Sequence, residues 1–257
     1  MGDQLMDHAM KIAPLLIAAG VLAAAPAFAQ ANTEPTRDPA KSEVWTPVPA
    51  TVATPPGKAP SDAIVLFDGK DASAWESEQG GRVPWTVADG AMTIVPGSKG
   101  IRTRQRFCDI QLHVEWRTPV ETKGFDGQNR GNSGIFLQEL YELQVLDSYN
   151  NPTYANGQAG SIYKQAMPLA NASRAPGQWQ AYDILWKAPR FSPGGGLISP
   201  ARITVLHNGV LVQDDTVLAG RTEYIGAPSY SPHACAPLYL QEHDSKVSYR
   251  NIWVREL

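Results

Sequence analysis

Asn132 to Tyr149 reads N-S-G-I-F-L-Q-E-L-Y-E-L-Q-V-L-D-S-Y. Side chains alternate across a strand, so this order predicts two β-strands joined by a short turn at Gln138–Leu140. In the second strand, Tyr141 to Asp147, the residues Tyr141, Leu143 and Val145 share one face while Glu142 and Gln144 share the other. A carboxylate and an amide side by side on an otherwise apolar strand suit a sugar-binding or catalytic cleft. A solvated sheet face satisfies the same pattern, and other residues must decide between them.

Working outward, the same period of two recurs. Asp109 to Arg117 places Ile110, Leu112, Val114 and Trp116 on an apolar face and Gln111, His113, Glu115 and Arg117 on a polar one. Thr86 to Ile94 reads as a hairpin around Asp89-Gly90, and Arg202 to Val212 as another around Asn208-Gly209. Ile64–Phe67, Trp179–Trp186, Leu238–His243 and Val247–Val254 read as further strands, and Gly157 to Tyr163 as one more. Beyond the N-terminal leader no stretch sustains a helical period. Many short strands without crossover helices predict an all-β fold, an antiparallel β-sandwich or jelly roll.

The first residues read as a targeting segment. Lys11 precedes the apolar run Ile12–Ala25, and Ala27-Phe28-Ala29 supplies an A-x-A site. This is the pattern of a secretory signal, residues 1–29, and it predicts a periplasmic or secreted protein with no stable membrane insertion after cleavage. Residues 30–60 carry Pro35, Pro39, Pro47, Pro49, Pro55, Pro56 and Pro60 and read as an extended arm. A single β-sandwich domain is expected over 61–257. The formal net charge is −3 with no basic run, which argues against nucleic acid and anionic membrane as partners. Cys108 and Cys235 are the only cysteines; an oxidising compartment would let them pair, and two buried thiols are the alternative.

Several blocks, in order from about residue 61 to the end, resemble the bacterial DUF1080 family, the 3-keto-disaccharide hydrolase domain. They are Ile64–Lys70 with Trp75, Leu112–Arg117, Asn132–Phe136, Tyr141–Asp147, Ile203–Gly209, Leu240–His243 and Tyr249–Val254. The resemblance implies a concanavalin-like or laminin-G-like sandwich with its site on a concave sheet. It also implies a carbohydrate substrate, an oxidised glycoside with a ketone at C3. Such a ketone acidifies the C2–H bond. A base removes that proton, the C1 substituent leaves by β-elimination, and water adds to the enone, giving net hydrolysis.

That chemistry needs a base, donors or a cation at the enolate, and an acid for the departing oxygen. Glu142 is the first candidate for the base, or for a ligand if a divalent metal ion takes part, and His243 is the second. Gln241 and His243 share a strand face as Glu142 and Gln144 do. Gln144, Gln241 and Asn132 suit hydroxyl recognition, and Arg117 suits the enolate. Some subset of Glu115, Glu142, Asp147, His113 and His243 could hold a metal ion as Lewis acid, although no zinc-type spacing occurs. Two other readings stand beside this one. The first is a non-catalytic glycan-binding module. The second is a retaining glucan hydrolase, because Glu142-x-Gln144-x-x-Asp147 resembles the acid-bearing strand of laminarinase-like enzymes if a bulge turns Asp147 inward.

Overall fold

Burial alternates along Ile110–Arg117 and Gln180–Lys187 and so shows which face of each meets the core. The computed structural model describes residues 38–257; the expected secretory signal, 1–29, and the first part of the expected arm, 30–37, lie outside the described residues. In chain order come β1 (Ile64–Phe67), β2 (Trp75–Ser77), β3 (Thr86–Ala88), β4 (Ala91–Thr93) and β5 (Ile101–Thr103). They are followed by β6 (Ile110–Arg117), β7 (Ser133–Leu137), β8 (Tyr141–Val145), β9 (Gln180–Lys187) and β10 (Arg190–Phe191). The last five are β11 (Leu197–Ser199), β12 (Arg202–His207), β13 (Val210–Val217), β14 (Tyr239–Leu240) and β15 (Ser248–Glu256). Among the described residues the only helical pieces are short 3-10 turns at Pro39–Ser42, Gly127–Asn129 and Ala155–Gly157.

The strands form two large antiparallel sheets and a separate two-stranded ribbon, β10-β11. The larger runs β13-β12-β9-β6-β15-β4-β3, with β1 also paired to β15, and the smaller runs β2-β5-β14-β7-β8. Residues 51–257 group as one unit. Between the sheets lie the inward residues of both: Ile110, Leu112, Val114 and Trp116 from β6, and Tyr141, Leu143 and Val145 from β8, all at most 1% exposed. Tyr141 and Trp186 pack ring to ring across the gap at 5.1 Å. Polar groups bridge it too. The Tyr182 hydroxyl donates to the Gln144 carbonyl at 2.8 Å, and Ser133 Oγ meets the Tyr249 hydroxyl at 2.7 Å.

The turns obey local chemistry. Asp89-Gly90 and Asn208-Gly209 have φ of 52° and 76°, and of 53° and 81°, the positive values that two-residue hairpin turns require. Gln138 and Glu139 supply the same geometry at the β7–β8 turn, with φ of 54° and 59°. The expected strand over Gly157–Tyr163 does not form. Those residues instead satisfy the open edge of β8: Gly160 donates to the Gln144 carbonyl, Gln144 to the Ser161 carbonyl, and Tyr163 to the Glu142 carbonyl. An exposed strand edge invites pairing with other chains, and this irregular segment covers it. Cys108 and Cys235 are joined as a disulfide, with Cα atoms 4.8 Å apart.

Candidate active site

The antiparallel register puts Phe136 opposite Glu142 and Gly134 opposite Gln144, so these four positions share the outer face of the smaller sheet. Gly134 leaves the room that Glu142 occupies. A Cβ at 134 would lie 2.7 Å from Glu142 Oε1 and 2.8 Å from a ring carbon of Phe136. Above this patch is a cavity of about 550 Å³, the size of a small-ligand site. Glu142 and Gln144 line it from β8, Asn132 from the residue before β7, and Gln241 and His243 from the segment after β14. Glu142 and His243 therefore face one space.

The amides in the floor hold one another in place. Asn132 Nδ2 donates to the Gln128 carbonyl at 2.8 Å, and Gln144 Nε2 donates to Gln128 Oε1 at 3.2 Å and Asn132 Oδ1 at 3.3 Å. Gln128 Nε2 is in turn spent on Thr153 and the Gly157 carbonyl. Left over are two buried acceptors, Gln144 Oε1 and Gln241 Oε1, which have no hydrogen-bond partner. Buried acceptors without donors are uncommon, and hydroxyl groups of a ligand would satisfy both.

Glu142 differs from its neighbours in charge state. It is 6% exposed, and its carboxylate makes no hydrogen bond or ion pair among the described residues; burial pushes its pKa up to about 8. A carboxyl group in that condition can take or release a proton near neutral pH. Lys164 adds a cation to the same cavity. Its Nζ donates to the Tyr224 carbonyl at 2.6 Å and lies 4.1 Å from the centre of the Tyr224 ring, with Tyr163 and Tyr154 at 5.5 and 5.8 Å. The backbone at Lys164 is left-handed, φ 57°, which turns the side chain out of the covering segment. Sequence reading missed Lys164, Tyr154, Tyr163, Thr222, Tyr224 and Gln128. All lie outside the strands, where no periodicity marks a face.

Three expected residues are not in this cavity. Arg117 and Glu115 sit on β6, in the larger sheet, and point away from the core on the opposite side of the sandwich. Glu115 is held there by Arg250 at 2.6 Å and Asn251 at 2.8 Å, and the Arg117 guanidinium lies 4.7 Å from the Trp179 ring centre. Asp147 is 1% exposed and pairs with Arg130 Nε at 2.9 Å. No bulge turns it inward, because β8 ends at Val145. The expected carboxylate pair of a retaining glucan hydrolase is thus absent from this cavity. The expected metal donors divide likewise: Glu142 and His243 on one side, His113 and Glu115 on the other. Among the described residues no three His, Cys, Asp or Glu side chains converge as a metal site.

The family model described as the 3-keto-alpha-glucoside-1,2-lyase-like domain matches residues 62–255. A candidate glycosyl hydrolase from Parabacteroides distasonis ATCC 8503, solved by crystallography, is 52% identical; the match covers 85% of this chain and 96% of that one, with a TM-score of 0.82. A second candidate glycosyl hydrolase of that organism is 21% identical over 76% of this chain and 94% of its own, with a TM-score of 0.54, and shares the fold. No curated protein matched. The extent of the family match, reinforced by a relative of one-half identity, means that this chain belongs to the 3-keto-alpha-glucoside-1,2-lyase-like domain family.

Proposed function

We propose that this protein is an exported enzyme that cleaves 3-keto-glycosides by elimination and hydration. The observation that carries the reading is the pairing of a buried, unpartnered Glu142 with His243 in one cavity. The oxidised sugar lies with C2 at Glu142. The carboxylate takes the C2 proton, and the C–H electrons form an enolate whose negative charge rests on the C3 oxygen. Lys164 faces that oxygen, taking the role first given to Arg117, and Gln144, Gln241 and Asn132 hold the ring hydroxyls. As the enolate collapses, the C1–O bond breaks with its electron pair on the leaving oxygen, which His243 protonates. Water then adds across the enone, hydroxide to C1 and a proton to C2. The balance needs no oxidant.

Supporting the reading are the family description and the absence from the cavity of the carboxylate pair that direct glycoside hydrolysis uses. Export rests on the leader sequence and agrees with the Cys108–Cys235 disulfide, since such bonds persist in oxidising compartments. The test is turnover of 3-keto-glucosides and of their unoxidised parents in deuterated water. Release from the keto form alone, with deuterium at C2 of the product, is expected. Equal release from the parent sugars, or product without deuterium, overturns the mechanism. An intact mass beginning at Gln30 for the externally recovered protein would support export.

A further inference from the structure

The sheet face that floors the cavity carries a row of side chains that runs on beyond the cavity lining. Register in the smaller sheet places Glu142 opposite Phe136, Phe136 opposite Tyr239, Tyr239 opposite Arg102, and Arg102 opposite Glu76. Directly paired residues point to the same side of a sheet, so these five form one outward row across all five strands. Burial agrees, for Ile101, Thr103, Trp75, Ser77 and Leu240, the neighbours along each strand, are all turned into the core. At the usual ~4.8 Å between strands the row is about 19 Å long, enough for further sugar rings beyond one held at Glu142.

The composition of the row changes along its length. Next to Glu142 come two half-buried aromatic rings, Phe136 and Tyr239, edge to face at 5.4 Å. Tyr239 is fixed by its hydroxyl, which donates to Glu78 at 2.8 Å, and by Gly100, where a Cβ would lie 2.3 Å from the Tyr239 hydroxyl. Arg102 follows, with Nε on Glu76 at 3.1 Å and a second nitrogen 3.5 Å from Glu139. Aromatic faces receive the C–H faces of sugar rings, and an arginine flanked by carboxylates offers donors and acceptors together, as vicinal hydroxyls require. On the other side of Glu142 the chain is closed, since β8 is the edge strand and the segments bearing Tyr163, Lys164 and Thr222 cover it.

We infer that the Phe136–Tyr239–Arg102–Glu76 row is a leaving-group subsite, which takes the saccharide attached at C1 of the oxidised sugar and orients the substrate with its keto ring at the closed end. This rests on the reading that Glu142 marks the reacting ring. On this assignment Tyr239 and Arg102 set the discrimination between a second sugar ring and a small alcohol at C1.

The experiment compares kcat/KM for a 3-keto-glucosyl disaccharide and for methyl 3-keto-glucoside in wild type, Tyr239→Ala and Arg102→Ala. The wild-type ratio should favour the disaccharide, and each substitution should lower that ratio at least tenfold. A structural defect would depress both substrates alike and leave the ratio in place, which would overturn the inference, as would a wild type indifferent to the second ring. A binding titration with unoxidised glucose, gluco-disaccharide and gluco-trisaccharide separates the two proposals. If no keto-glycoside turns over, the proposed reaction fails. The subsite still stands if affinity rises with the second ring and Tyr239→Ala abolishes the rise, and it falls if affinity is independent of length.

Discussion

A carboxyl group that keeps its proton until about pH 8 ties activity and stability to the same titration. As the base, Glu142 must be ionised, so kcat/KM should rise with pH to a plateau above about 8, and Glu142→Gln should remove that limb while lowering kcat by about 10²–10⁴-fold. Stability runs the other way. The unfolded chain loses this proton near 4.5 and the folded one near 8, so the unfolded state binds fewer protons across that interval and stability falls as pH rises through it. Glu142→Gln should therefore be more stable than wild type at pH 8.5, by on the order of a few kcal/mol, and nearly equal to it at pH 4. Chemical denaturation at the two pH values checks this, and a gap that does not widen with pH contradicts the burial argument. Gly134→Ala should displace the base, with kcat down at least tenfold in a folded protein, since the added methyl would lie only 2.7 Å from Glu142 Oε1. Alternation along Tyr141–Val145 made Glu142 and Gln144 legible in the sequence, because parity alone puts both on one face. Nothing comparable marked Lys164, whose position depends on a left-handed backbone outside any strand.

Hairpins were the most legible elements, since Asp-Gly and Asn-Gly turns act through two residues and need no distant partner. The cover of β8 was not, because its hydrogen bonds join Gly160, Ser161 and Tyr163 to a strand edge whose exposure only the sheet order defines. A second cover comes from the segment after β13. Thr222 donates its backbone N–H to the Leu140 carbonyl and accepts the Glu142 N–H on its hydroxyl at 2.9 Å, and Tyr224 follows it into the cavity. That segment is anchored downstream by the bond from Cys235 to Cys108, a separation of 127 residues. A link spanning so much chain restricts the unfolded state, an effect typically worth about 2–4 kcal/mol. The Cys108→Ala/Cys235→Ala protein should lose stability of that order, and KM should rise more than kcat falls because the slackened segment carries cavity-lining groups rather than the base. Unchanged KM alongside the stability loss would show that Thr222 and Tyr224 hold their places without the anchor.

At the scale of the molecule, the sandwich has two outer faces, and which strand belonged to which was hidden from the sequence. β6 and β8 carry similar polar stripes, but pairing partners far along the chain assign them to different sheets, so Arg117 and Glu115 end up behind the core from Glu142. Arg117→Ala should accordingly leave kcat/KM within about twofold of wild type, and a larger fall would mean that the two faces communicate. The far face has its own titration. Burial would lower the His113 pKa, but the hydrogen bond to Asp183 at 2.7 Å and the Glu115 carboxylate 3.8 Å away outweigh it and raise the value to about 9. The folded state thus keeps a proton that the unfolded chain releases near 6.5, and the stability this confers is complete below that pH and lost as pH climbs through about 9. His113→Gln should lessen the fall in melting temperature between pH 6.5 and 9, leaving below about pH 8 the part due to Glu142, while the pH dependence of kcat/KM keeps the limb set by Glu142. Because the two titrations overlap in pH but sit on opposite faces, the double variant His113→Gln/Glu142→Gln should show the two stability effects adding, as expected for sites without shared contacts.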